Sequence, residues 1–457
     1  MTTAPAESTE SRRREQKSWY WYDWANSGYF TTVVTVLFGP YLTSVAERAA
    51  CGFVGDDDRK CTQHLDVLGV SISPGSLVFY VFTIATILSA FGLPIVGAIA
   101  DRSAHKRRLL GHVAWTGAGF AGLMFFVTGT NWLLGAVLLI LANLCFAASV
   151  VIYDAILIDI AGPDERDRVS SQGWAWGYLG GGLLLAVNLG LVTVLPFGLT
   201  TEWAVRISLL SAAAWWAAFT IIPYRGLRDR APVNVVPDDA ATLMQRSFGQ
   251  LFRTLRELRR YPQTLLFLVA YLIYNDGIQT VIYAASIYGE KQLGFGTSVL
   301  IATILLVQFV AFGGALLFGR VAQRIGGHKT IRYGLIGWVV IVVGAYFTPK
   351  DQIVPFLLLA VGIGMVQGGT QALSRSFFSQ LIPRGREAEY FSLYQAGERG
   401  TSWLGTLIFG VVHQLTDSYR PAILALIAFF VVGGVLLWRL DPRKGVQDAG
   451  NPVPAVL

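Results

Sequence analysis

Gly97-Ala98-Ile99-Ala100-Asp101-Arg102-Ser103-Ala104-His105-Lys106-Arg107-Arg108 is a charged turn between two long apolar stretches. Gly319-Arg320-Val321-Ala322-Gln323-Arg324-Ile325-Gly326-Gly327-His328-Lys329-Thr330 is a fainter copy nearly half a chain later. A charged turn that recurs at such a distance between apolar runs points to a duplicated membrane protein. Composition agrees: of 457 residues, 53% are hydrophobic and only 14% charged. A soluble globular chain carries about 25% charged residues. This chain has too little polar surface to cover its apolar residues in water. Most of it must face lipid, in spans of about 20 apolar residues.

Reading outward from the two turns gives twelve apolar spans, numbered 1 to 12. They lie at about 19–44, 72–100, 108–128, 132–159, 170–195, 203–223, 262–288, 297–320, 331–347, 353–381, 389–413 and 420–438. With the N-terminus inside, the cytoplasmic segments hold most of the 36 lysines and arginines. That bias places both termini in the cytoplasm. The expected fold is therefore an all-α membrane protein of two pseudo-symmetric six-helix bundles, 19–223 and 262–438. A cytoplasmic tail (1–18), a linker (224–261) and a second tail (439–457) complete the chain. The first tail is polar and Arg-rich, with no cleavable signal peptide. In the linker, Met244, Phe248, Leu251, Leu255 and Leu258 form one apolar helical face, which fits a helix lying on the inner membrane surface.

Several function classes fall away. The net charge of +7 sits in short turns between spans, so nucleic acid is not an expected partner. The five histidines are scattered without ligand spacing, no metal site is expected, and no nucleotide-binding glycine loop is present. Cys145 lies in an apolar span. Cys51 and Cys61 share a polar outer loop with Asp56, Asp57 and Asp58, where a disulfide forms if that loop faces an oxidising compartment.

Functional candidates are the polar residues that do not belong in lipid. A charged side chain at the bilayer centre costs about 2.5–3.5 kcal/mol on insertion scales. Asp23, Asp154, Asp276 and Glu398 lie within spans, as do Arg206, Arg375 and Arg399. Asp23 and Asn26 share a face of span 1, either as a cap at the inner interface or as a substrate or gate contact. Tyr153 and Asp154 are neighbours on span 4. Span 7 carries Asn275, Asp276 and Gln279. Asp276 is deep enough to be the leading candidate for a protonatable coupling residue, with a structural hydrogen bond near Gly277 as the alternative. Gln367, Gln371, Ser374 and Arg375 form a polar stripe on span 10 that suits an aqueous cavity and could grip a carboxylate. An ion pair between Arg375 and Glu398 of span 11 is the competing reading. Gly173, Gly177 and Gly181 on span 5 have the spacing of a close helix contact. Pro163–Arg166 after span 4 and Pro383–Arg386 after span 10 extend the repeat, and repeated halves enclose a site near the bilayer midplane.

The charged turn resembles the signature loop of the major facilitator superfamily. Trp21-Tyr22-Asp23-Trp24-Ala25-Asn26-Ser27, Tyr274-Asn275-Asp276-Gly277-Ile278-Gln279-Thr280 and Gln367-Gly368-Gly369-Thr370-Gln371-Ala372-Leu373-Ser374-Arg375 resemble helices 1, 7 and 10 of its vacuole-effluxer family. The resemblance implies a secondary transporter, not an enzyme, that works by alternating access on a small polar metabolite such as an amino acid. By position, Gly97 permits close approach of helices. Asp101 accepts hydrogen bonds from the facing half near the cytoplasmic end of span 11, and Arg102 and Arg107 hold the turn. Gly319 and Arg324 are their counterparts in the second copy, where Gln323 replaces Asp101 and weakens the latch. The intramembrane carboxylates suggest a proton as coupling ion and no other cofactor. A monomer in the bacterial plasma membrane is expected. A multidrug or lipid exporter of the same fold is the rival, against which the polar stripe of span 10 counts, and a receptor without transport is a more distant one.

Overall fold

The computed structural model describes residues 9–55, 61–67, 69–233, 254, 256–401 and 404–457. Among them, eleven helices are long and apolar enough to cross a membrane: Thr9–Cys51, Pro74–Arg102, Lys106–Phe126, Trp132–Ile160, Pro163–Val194, Thr201–Gly226, Pro262–Gln292, Ser298–Ile325, Gly327–Phe347, Ile353–Gln380 and Tyr419–Arg439. They coincide with expected spans 1 to 10 and 12. Expected span 11 is described in two pieces, Glu387–Thr401 and Leu404–Thr416. A small antiparallel hairpin, β1 (Leu65–Val67) with β2 (Val70–Ile72), precedes span 2. Cys51 and Cys61 are joined in a disulfide just ahead of it. Asp56, Asp57 and Asp58 lie outside the described residues.

The first tail departs from expectation. Span 1 is helical from Thr9, and Glu15 and Gln16, placed in solvent by the sequence, are buried. The reason lies at the end of span 4. The last carbonyls of a helix have no partners within it, and here Arg12 Nε and Gln16 Nε2 both donate to Ile160 O at 3.0 Å. The C-terminal tail does the same for span 10: Asn451 Nδ2 donates to Gln380 O (3.0 Å) and Ile382 O (2.8 Å). Both ends of the chain meet the turn between spans 4 and 5, Arg12 at Glu165 (3.4 Å) and Ala455 N at Asp164 Oδ1 (2.7 Å). They therefore lie on one face of the bundle, called here the terminal face. Most of the expected amphipathic linker helix lies outside the described residues. Of its apolar positions only Leu258 is described, buried at the start of a short turn, Leu258–Arg260.

Glycines set how closely the spans approach. A Cβ at Gly177 would sit 2.8 Å from Ser27 Oγ, and one at Gly181 would sit 3.0 Å from Thr31. Span 5 thus lies directly on span 1. Between spans 8 and 10, a Cβ at Gly314 would overlap Met365 O and one at Gly368 would overlap Ala311 O. Overpacking a tight contact costs about 1–3 kcal/mol, and backbone cannot turn aside as a side chain can. Gly314→Val and Gly368→Val should each lower the melting temperature of the purified protein by several degrees. Gly313→Val, with nothing within 4 Å of its Cβ, should leave it within about a degree.

Candidate substrate and gating site

Arg375 of span 10 is the centre of a buried polar cluster and is only 3% exposed. Its Nη2 lies 3.2 Å from Asp23 Oδ2 of span 1, and its Nη1 lies 3.3 Å from Asp154 Oδ1 of span 4. Nε donates to Ser170 Oγ (2.9 Å) and Nη2 to Ser170 O (3.0 Å), both on span 5. Tyr153 OH donates to Asp23 Oδ2 at 2.7 Å, and Gln395 Nε2 of span 11 donates to Asp154 Oδ2 at 2.9 Å. The rings of Trp19, Tyr153 and Trp174 stand 4.9, 5.4 and 5.5 Å from the guanidinium carbon, close enough for cation–π attraction. Trp19 is fixed in turn by stacking on Tyr153 at 4.1 Å and by donating Nε1 to Tyr153 O. Gly173 makes the room, since a Cβ there would lie 2.6 Å from Asp23 Oδ2 and 3.0 Å from Tyr153 OH. A cation of span 10 thus binds carboxylates of spans 1 and 4.

This arrangement revises the sequence reading of span 10. Arg375 pairs with Asp23 and Asp154, and Glu398 accepts from Tyr271 OH at 2.9 Å. Most donors of the guanidinium are occupied, so it does not stand ready for a substrate carboxylate. Gln371 donates to Asn275 Oδ1 at 2.8 Å, and Ser374 shares a hydrogen bond with Tyr274 OH at 2.6 Å. Asp276 is buried away from the cluster. Its two oxygens accept from Gly405 N at 3.2 and 3.1 Å, where the second piece of span 11 begins. Asn26 is buried one turn beyond Asp23 with its amide nitrogen unpartnered, and Gln367 Oε1 is likewise unpartnered. Gln279 is half-buried and makes no hydrogen bond among the described residues.

The first charged turn is engaged on the terminal face. Asp101 Oδ1 accepts from Ala388 N (2.8 Å) and Oδ2 from Glu389 N (2.9 Å), at the first turn of span 11. The unpaired amides of a helix start and its positive dipole end favour a carboxylate there. Gly97 allows the approach, because a Cβ would sit 2.6 Å from Ala388 O. Arg107 pairs with Asp229 beyond span 6 at 3.0 Å, and Lys106 with Asp159 at 3.1 Å. The second turn is not a mirror image. Gln323 and Arg324 are exposed, without a hydrogen bond among the described residues, while Gly319 packs on Ser171. The ties on that side come from span 5. Arg166, 1% exposed, donates Nη1 to Ser379 O (2.7 Å) and Gln380 Oε1 (3.3 Å), and Ser376 Oγ donates to Asp167 Oδ1 at 2.5 Å.

Sequence reasoning overlooked Arg166, Ser170 and Gln395. Arg166 carried a signal, since it repeats as Arg386. Ser170 and Gln395 carried none, being ordinary polar residues whose role depends on which span they face.

Residues 11–450 match the family model described as vacuole effluxer Atg22 like. The chain belongs to the vacuole effluxer Atg22-like family. Among its relatives is an uncharacterized MFS-type transporter, YxiO, of Bacillus subtilis, 30% identical over 93% of this chain and 94% of that one. Autophagy-related protein 22 of Pyricularia oryzae is 25% identical over 99% of this chain and 80% of its own. The fold is that of solved major facilitator transporters. It matches the proton:xylose symporter XylE with a TM-score of 0.69 at 10% identity, over 97% of this chain and 99% of that one. It matches the Escherichia coli fucose:proton symporter FucP with a TM-score of 0.67 at 12% identity, over 95% and 99%. This Atg22-like chain is a multi-pass membrane protein of a transporter family rather than of an enzyme family.

The two turns should respond unequally to mutation. Asp101→Ala removes two charge-assisted hydrogen bonds, each worth about 1.5–3 kcal/mol. Spin labels at Arg108 and Arg384, in a background lacking Cys145, should report a longer and broader distance distribution in Asp101→Ala. In Gln323→Ala the distribution should match the parent.

Proposed function

We propose that this chain is a proton-coupled secondary transporter of twelve spans whose halves, 19–223 and 262–438, rock about the Arg375 cluster. The terminal face is cytoplasmic on this reading, because the basic residues gather there. The protein works as a monomer in a bacterial plasma membrane and exports or exchanges a small polar metabolite, such as an amino acid.

The observation that carries the reading is the pairing of one guanidinium with two carboxylates across the two sets of spans. Buried charges persist only when paired and hydrogen-bonded. Asp23, Asp154 and Arg375 together leave one negative charge in excess, which a proton cancels. Protonation of either acid removes one of the two ties on Arg375. The link between halves weakens, and the contacts of Asp101 and Arg166 on the cytoplasmic side can then part. The substrate is taken at the same interface, among polar side chains of spans 1, 5, 7 and 10. Their polarity supports a polar metabolite over a drug or lipid. The fold-level likeness to two sugar–proton symporters supports coupling to protons. Asp276, bound to the backbone of span 11, holds that span in place.

The test is transport in proteoliposomes. A panel of amino acids screened by counterflow identifies a substrate, and a pH gradient is then imposed. The parent should accumulate substrate against its gradient. Asp154→Asn should keep exchange but lose pH-driven accumulation by about tenfold or more, and Asp276→Asn should retain it if folded. A parent indifferent to the pH gradient, or Asp154→Asn driven as well as the parent, would sink proton coupling through this cluster.

A further inference from the structure

Away from the span interface, the terminal face holds a cavity of about 630 Å³. One wall is the start of span 1, with Arg14 and Ser18. The other is the end of span 6 and the chain that follows, Arg225–Asp229, with Arg107 reaching in from the first charged turn. The acids in this wall are already engaged. Arg230 Nη1 and Nη2 hold the two oxygens of Glu15 at 2.7 Å each, and Arg228 N also donates to Glu15 Oε1 at 2.9 Å. Glu10 is matched by Arg14 at 2.5 Å. Asp229 Oδ2 lies 3.0 Å from both His105 Nδ1 and Arg107 Nε, with Arg108 at 3.9 Å. Burial acts to raise the pKa of Asp229, but hydrogen bonds and charge from His105 and Arg107 outweigh it and hold the carboxyl below its ordinary value. Asp229 therefore stays ionised and committed to those cations.

Arg228 Nη2 donates to Ser11 Oγ, which leaves Arg225, a lining residue that is exposed and without an ion pair or hydrogen bond among the described residues. It precedes Gly226, the last residue of span 6, so it stands at the level where a membrane-spanning helix leaves the hydrocarbon. Gly226 presses on Ser18, where a Cβ would overlap Ser18 Oγ, which brings the two walls together; the Ser18 hydroxyl itself donates to Arg14 O at 3.1 Å. Basic pockets between helices at this depth bind phosphate headgroups, and guanidinium groups match phosphate oxygens in geometry.

We propose that this cavity binds a phosphate-bearing anion, with Arg225 as its main contact. The source is either the headgroup of an acidic phospholipid or a free phosphate ester. Such a ligand bridges span 6 to the N-terminal extension of span 1, the helix that carries Asp23.

The full chain is tested in nanodiscs of phosphatidylcholine, with and without phosphatidylglycerol. Native mass spectrometry reads the retained lipid, and melting curves with added glycerol 3-phosphate read a soluble ligand. The parent should retain phosphatidylglycerol in preference to phosphatidylcholine. Arg225→Ala should retain about tenfold less, the factor that about 1.4 kcal/mol produces, and Arg225→Lys should retain an intermediate amount. Arg332→Ala, whose guanidinium lies over Trp438 at 4.2 Å, should retain as much as the parent. If lipid retention shows no preference but glycerol 3-phosphate raises the melting temperature of the parent and not of Arg225→Ala, the source is a free phosphate ester. Arg225→Ala is exposed and should melt like the parent without ligand. The proposal is overturned if Arg225→Ala equals the parent in both readouts, or if neither probe binds. These outcomes do not depend on proton coupling.

Discussion

A guanidinium held between two carboxylates in the apolar interior is the constraint around which this molecule is arranged. Arg375 reaches from span 10 to Asp23 on span 1 and Asp154 on span 4, with Ser170 of span 5 closing its remaining bonds. Removing one partner from a buried pair of this kind costs about 3–5 kcal/mol, because the other is left charged and dry. Such a link is stable while complete and fragile once a single charge is neutralised.

The surrounding sequence makes the link geometrically possible. Gly173, Gly177 and Gly181 lay span 5 along span 1, and the first of them vacates the volume that Asp23 and Tyr153 OH fill. Trp19 and Trp174 wall the guanidinium with aromatic faces. On the terminal face, helix ends are satisfied by spans distant in the chain. Asp101 accepts from the start of span 11, and Arg166 donates to the end of span 10. Each group meets a need that every helix end carries.

Much of this was legible in the sequence, for identifiable reasons. A run of apolar residues must span a membrane whatever its neighbours, so spans 1 to 10 and 12 appeared close to their observed places. Asp101 appeared because it sits in a repeated turn. Asp23, Asp154 and Arg375 stood out as charges in the wrong solvent, but their pairing did not. The two open readings of Arg375 were a substrate grip and a pair with Glu398 on the next span, whereas its partners lie on spans far away in the chain. The partner of Asp276 was hidden for a related reason: depth in a span says nothing about which backbone amide a carboxylate faces, and here that amide is Gly405 N. The N-terminal extension read as a solvated tail because its Arg12 and Gln16 are polar. Only the structure reveals that the end of span 4 needs them.

The central claim is that Arg375 is held in place by Asp23 and Asp154 as one unit across the halves. Thermal unfolding of a mutant cycle tests it most directly, comparing Arg375→Met, the Asp23→Asn/Asp154→Asn pair and the triple variant. Coupled charges predict that Arg375→Met is strongly destabilised and that the triple variant recovers much of the loss, because no unpaired charge remains buried. A triple variant as unstable as the sum of its parts would contradict the account.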